Sequence, residues 1–181
     1  MSADGASPVR QEALPREASF YPPARLGRRT YFPLGVVLLS ATLALYLAGA
    51  DLPGMERLRR VPNYDLFTGL AMAAYLLAQL MMPFLRATGA VPHRQLVRAH
   101  KLLGALGPAF LVVHAGRLGY GYLSALSAVF LLSMALGLVN HETMGMKGRV
   151  PAFVWMVAHV ALSVALVALA SVHAYVALSY E

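Results

Sequence analysis

Residues 96–115 read LVRAHKLLGALGPAFLVVHA, and residues 150–178 read VPAFVWMVAHVALSVALVALASVHAYVAL. Both stretches reach the roughly 20 apolar residues that cross a hydrocarbon core of about 30 Å. Each also carries two histidines, His100 and His114 in the first, His159 and His173 in the second. Both separations are 14 residues. At about 100° per residue, fourteen steps return to within roughly 40° of the starting face, displaced about 21 Å along the axis. Each helix therefore presents one imidazole near either end, on a single stripe.

Three further apolar stretches, residues 31–50, 66–85 and 120–139, bring the expected count to five. The fold class that follows is an all-α integral membrane protein, a bundle of five transmembrane helices over residues 31–181. The last stretch is long enough to tilt or to project beyond the bilayer. Composition points the same way: 59% of the 181 residues are hydrophobic and 13% charged, against roughly 45–50% and about 25% in ordinary globular chains. The mean hydropathy is +0.60. Connections are short and punctuated by Asp51-Leu-Pro-Gly54, Thr88-Gly89 with Pro92, and Gly119 with Gly121. Residues 1–30 differ in kind. Rich in Pro, Ala, Arg and Glu, with no apolar run and no cleavage pattern, they read as a cytoplasmic segment that is disordered or docks onto a partner.

The net charge of +7 does not call for nucleic acid, because the basic residues sit between the apolar runs. With five spans, eleven Lys and Arg fall on the side of the N-terminus and four (Arg57, Arg59, Arg60, Arg117) on the other. Excess positive charge marks the cytoplasmic face. The expectation is an N-terminus inside and a C-terminus outside, in a bacterial inner membrane. The absence of cysteine excludes disulfides, thiolate clusters and covalent c-type haem attachment.

Spans three and five are separated by two crossings and run in the same direction. His100 is then level with His159, and His114 with His173. Two facing imidazoles, twice over, are what two b-type haems with paired axial histidines require, and such iron keeps no open position. Haem is largely apolar and fits between helices of a bundle, so the cofactors are expected between helices 3 and 5. Gly104 and Gly107 share the histidine face and suit two readings, room for a flat macrocycle or close helix packing. Arg98 and Lys101 near the inner pair, and Arg117 near the outer, could hold propionates; topology alone also explains them. His93 and His141 read as solvated connections, with His93 a minor rival to His100. Trp155, Tyr120, Tyr122 and Tyr175 read as interface anchors, and Leu166 is a large residue set against the expected small-residue face.

The run Arg98-Ala-His100-Lys-Leu-Leu-Gly104 with His114, and Trp155-Met-Val-Ala-His159 with His173, resembles the ferric reductase-like transmembrane domain family. That family includes the membrane part of NADPH oxidases. The resemblance spans about residues 60–180 and implies two b haems, an inner one on His100 and His159 and an outer one on His114 and His173. It also implies electron transfer from a cytoplasmic donor to an acceptor across the membrane. Family members often have six spans and a flavin–nicotinamide domain. Neither is read here, so the implied donor is a separate flavoprotein or a quinol, within a redox complex. A weaker likeness is to respiratory cytochrome b, whose Pro-Glu-Trp-Tyr motif this sequence lacks. The competing expectation is a structural or pigment-binding subunit with no redox role of its own. The spans hold essentially no carboxylates, which disfavours a proton pump or cation transporter.

Overall fold

The computed structural model describes residues 25–89, 91–140, 143 and 149–180, with side chains from residue 31 onward. Among them every regular element is a helix: α1 (Arg25–Ala48), α2 (Met55–Arg59), α3 (Tyr64–Thr88), α4 (His93–Ala115), α5 (Tyr122–Leu138) and α6 (Arg149–Ser179). The helix α1 begins six residues before the expected span, so its backbone continues into the polar segment 25–30 (residues 1–24 lie outside the described residues). Arg, Leu and Arg are good helix formers, and a helix need not stop where its apolar run does. The single-turn α2 in the connection between the first two spans has no apolar period and was not expected.

Four helices, α1, α3, α4 and α6, are long and apolar enough to cross a membrane. The fifth, α5, has 17 residues and a length of about 25 Å at 1.5 Å per residue, short of a full hydrocarbon core. An all-α chain compatible with integral membrane placement is therefore what the helices establish. Large apolar side chains point outward along α1, α3 and α6; Leu47 is 87% exposed, Phe67 64% and Val164 65%. A water-soluble monomer rarely shows such continuous apolar surface, and lipid is the solvent that suits it.

The centre of the bundle is α4, which packs against α1, α3 and α5, while α6 lies along α5. Its core residues Ala105, Leu111 and Val112 are buried. Pro108 inside α4 has no backbone N–H to donate; its own carbonyl accepts a 3.4 Å bond from Thr42 Oγ1 of α1. The chain leaves α4 through Gly116 at φ 62°, a left-handed conformation that suits glycine. The Arg59 guanidinium lies directly over the position a Gly116 side chain would take. Midway along the bundle Met72, Tyr75, Leu111, Phe130, Leu131 and Leu166 form one buried cluster.

Candidate functional site

The helices α4 and α6 bring four half-buried imidazoles together in two pairs. The rings of His100 and His159 have centroids 6.2 Å apart and lie nearly perpendicular, at 83°. Those of His114 and His173 are 6.1 Å apart at 62°. Leu166 and Gly107 are each seven residues from the histidines on their own helices and occupy the interval between the two levels. That interval is filled. Leu166 is buried in the central cluster, and a Cβ on Gly107 would sit 2.5 Å from Met134 Sδ and 2.6 Å from the Tyr75 hydroxyl. Of the two readings for Gly107, close packing is the one its neighbours support. Gly104 differs. It lines open space, and an added Cβ would meet only Gln79 Nε2, at an ordinary 3.5 Å.

A cavity of about 570 Å³ opens at the His100–His159 level, within the size range of cofactor pockets, roughly 300–1,000 Å³. Apolar side chains make most of its wall. Six buried side-chain polar atoms lack a hydrogen-bond partner among the described residues, and four of them belong to residues that line this cavity: Gln79 Oε1, His100 Nδ1, Ser133 Oγ and His159 Nδ1. Each such orphan costs about 1–3 kcal/mol, and buried polar groups are nearly always paired. Four of the six thus lie around one void.

Other groups shape this level. Trp155 stacks on His159 with centroids 5.4 Å apart and planes 7° from parallel, and its indole N–H donates to the Leu136 carbonyl at 2.9 Å. It is thus part of the site, not merely an interface anchor. Gln79 Nε2 donates to the His100 carbonyl at 3.3 Å, and the Ser163 hydroxyl donates to the His159 carbonyl at 2.8 Å. Gly137 leaves room for the His159 ring, whose Cε1 would be 3.6 Å from an added Cβ.

The expected cationic partners are redistributed. Arg98 is exposed and does not line the cavity, because two residues from His100 are about 200° around the helix. Lys101 does line it, with its ammonium 5.2 Å from the Tyr31 ring centre. Arg86 of α3 and His93 line it as well; His93, the first residue of α4, is exposed, as a solvated residue would be. His141 lies outside the described residues. Near the other level, Arg117 is paired with Asp51 at 3.2 Å and is largely exposed, and Arg59 pairs with the same carboxylate at 3.3 Å.

The His114–His173 level carries contacts to the ring nitrogens that the first lacks among the described residues. Thr68 Oγ1 lies 3.1 Å from His114 Nδ1, and the Tyr122 hydroxyl lies 3.5 Å from His173 Nδ1. Tyr64 on the same helix donates to the Val113 carbonyl at 2.6 Å, tying α3 to the turn that holds His114. Gln79, Arg86, Thr68 and Gly69 all come from α3, which carries no histidine.

Among the described residues no three His, Asp or Glu side chains gather as a metal-binding group. The arrangement is twice two imidazoles, which suits a group that brings most of its own coordination. No protein-family model, no curated protein and no solved structure matches the chain.

Proposed function

We propose that the chain is a b-type dihaem membrane cytochrome, a five-span subunit of a redox complex that passes electrons across the bilayer. In this reading His100 and His159 hold the inner haem iron, and His114 and His173 the outer. The donor is a cytoplasmic-side flavoprotein or a quinol, and the acceptor lies on the outer side of a bacterial inner membrane. The positive-inside count over five spans supports an N-terminus in the cytoplasm.

One observation carries the reading: two histidine pairs with ring separations of 6.2 and 6.1 Å. Two imidazoles bound through opposed nitrogens to one metal, with metal–nitrogen bonds of about 2.0 Å, place their ring centres about 6.3 Å apart. Edge-to-face ring packing also spans about 4.5–7 Å, so what supports the reading is the recurrence of one metal-compatible His–His separation at two levels of the same helix pair. The group also fits the apolar cavity that opens at the inner pair. Haem bound at each level supplies one-electron redox chemistry.

The side chains have definable tasks. Each pair of imidazoles would hold one haem iron, and haem held by two histidines would pass electrons rather than bind a small molecule. Arg86, His93 and Lys101 at the inner cavity offer donors to carboxylates; a charged bond of this kind is shorter and stronger than a neutral one. Trp155 holds the plane of His159 by stacking. Tyr75, Leu166 and Met134 pack together between the two levels.

The test is to express the chain with ample haem supply, purify it in mild detergent and record a dithionite-reduced minus oxidised spectrum. The expected result is a b-type spectrum with about two haems per chain. A colourless preparation, or far-red pigment absorption, would overturn the reading in favour of a structural or pigment-binding subunit.

A further inference from the structure

The two histidine levels differ in what supports their far nitrogens. At the His100–His159 level both Nδ1 atoms are buried without a hydrogen-bond partner among the described residues. At the other level His114 Nδ1 rests on the Thr68 hydroxyl at 3.1 Å. That hydroxyl has one hydrogen, and two acceptors of its own helix compete for it: the Tyr64 carbonyl at 2.9 Å and the Asp65 carbonyl at 3.2 Å. A hydroxyl that donates backward to its helix turns a lone pair outward.

We propose that Thr68 is a positioning residue for the outer pair, whose hydroxyl oxygen accepts the Nδ1–H of His114. The bond fixes one tautomer and leaves Nε2 as the lone-pair nitrogen, the form in which a histidine can ligate. In metal sites this outer bond sets ring orientation and raises ligand basicity. The neighbouring residue completes the seat. Gly69 lies beneath the ring, and a Cβ there would stand 3.4 Å from His114 Cε1. Thr68-Gly69 thus supports the ring at one edge and admits it at another. The significance for iron rests on the dihaem reading above, whereas the tautomer assignment does not.

A more basic axial ligand favours the oxidised iron, so removing the acceptor should ease reduction of the outer centre alone. The comparison is Thr68→Val, which keeps the shape and loses the oxygen, with Thr68→Ser, which keeps the oxygen. Two readouts separate the inference from the reading beneath it. In full-length chain produced without haem and labelled with ¹⁵N-histidine, NMR should find His114 protonated at Nδ1 in the parent and in Thr68→Ser, but not in Thr68→Val. In the haem-loaded chain, redox titration should show the outer reduction equilibrium displaced about fivefold toward the reduced state in Thr68→Val, which is about 40 mV at 59 mV per tenfold. The inner centre should stay in place, and Thr68→Ser should lie within about twofold of the parent. Protonation of His114 at Nε2 in the parent would overturn the assignment whether or not haem binds. An unmoved outer centre, or equal movement of both, would overturn the tuning role. Failure to bind any haem would instead defeat the dihaem reading and leave the NMR result to decide the role of Thr68.

Discussion

Replacing Gly107 with alanine should destabilise the bundle, whereas the same change at Gly104, one helical turn away, should not. The added Cβ at Gly107 would stand 2.5 Å from Met134 Sδ and 2.6 Å from the Tyr75 hydroxyl. Ordinary contacts need about 1 Å more, so both neighbours must retreat. Met134 is flexible and can yield. Tyr75 cannot yield cheaply, because it is buried and its ring stacks on Phe110 with centroids 4.8 Å apart and tilts against Phe130. Overpacking of this kind costs about 1–3 kcal/mol. The loss of backbone freedom in the unfolded chain returns about 0.4–1 kcal/mol. At Gly104 only the second effect operates, since the new methyl meets Gln79 at 3.5 Å and otherwise faces the cavity. Gly104→Ala should therefore be neutral or slightly stabilising, and the two variants should differ by about 1–3 kcal/mol. For a chain of this size that corresponds to several degrees in Tm, at roughly 2–4 °C per kcal/mol. Thermal unfolding in detergent, followed by circular dichroism, measures the difference. Equal effects at the two sites would refute the assignment of Gly107 to packing and Gly104 to the cavity wall.

A larger residue at the same wall should separate cofactor room from stability: Gly104→Leu is expected to remove the inner haem and keep the outer, read as a fall from about two haems per chain to about one. Trp155→Phe keeps a ring over His159 but loses the indole bond to the Leu136 carbonyl, a cost of about 0.5–1.5 kcal/mol; Trp155→Ala should in addition alter the low-spin spectrum of the inner haem. Asp51 serves two arginines, so Asp51→Asn should weaken the fold by more than Arg117→Ala. Because Arg117 is mostly exposed, its own removal should cost under about 1 kcal/mol and less at high salt; equal losses would show that the paired arrangement carries no weight.

What the sequence discloses about this molecule is what helix geometry repeats. The interval of 14 between histidines on two helices depends only on periodicity, and the structure sets His100 against His159 and His114 against His173. Helix centres were legible for the same reason. Ends were less so, since α1 runs back to Arg25 and α5 stops at 17 residues. Arg98 illustrates reasoning by proximity in sequence, where a helical wheel turns it away from the cavity. Arg86, Gln79 and Thr68 illustrate a deeper gap. Gln79 and Thr68 reach the histidines from α3, and Arg86 lines the inner cavity; the three lie at intervals of 11 and 7 residues on one face of α3, a polar stripe that periodicity records but a reading centred on histidines passes over. Trp155 and Tyr122 were read from their residue type as interface anchors, yet each lies against a histidine. Gly107 shares the histidine stripe but is occupied by Tyr75 and Met134, two side chains from other helices.

The central claim is that histidines pair across α4 and α6 at two levels, each pair clasping one iron. Haem content measured for His100→Ala, His159→Ala, His114→Ala and His173→Ala, and for the double variants, tests it most directly. The account predicts that His114→Ala, His173→Ala and their double variant each lose the same single haem, and that His100→Ala, His159→Ala and their double variant lose the other. A double variant of His114 and His173 that loses both haems, or His114→Ala behaving as a pair with His159→Ala, would contradict it.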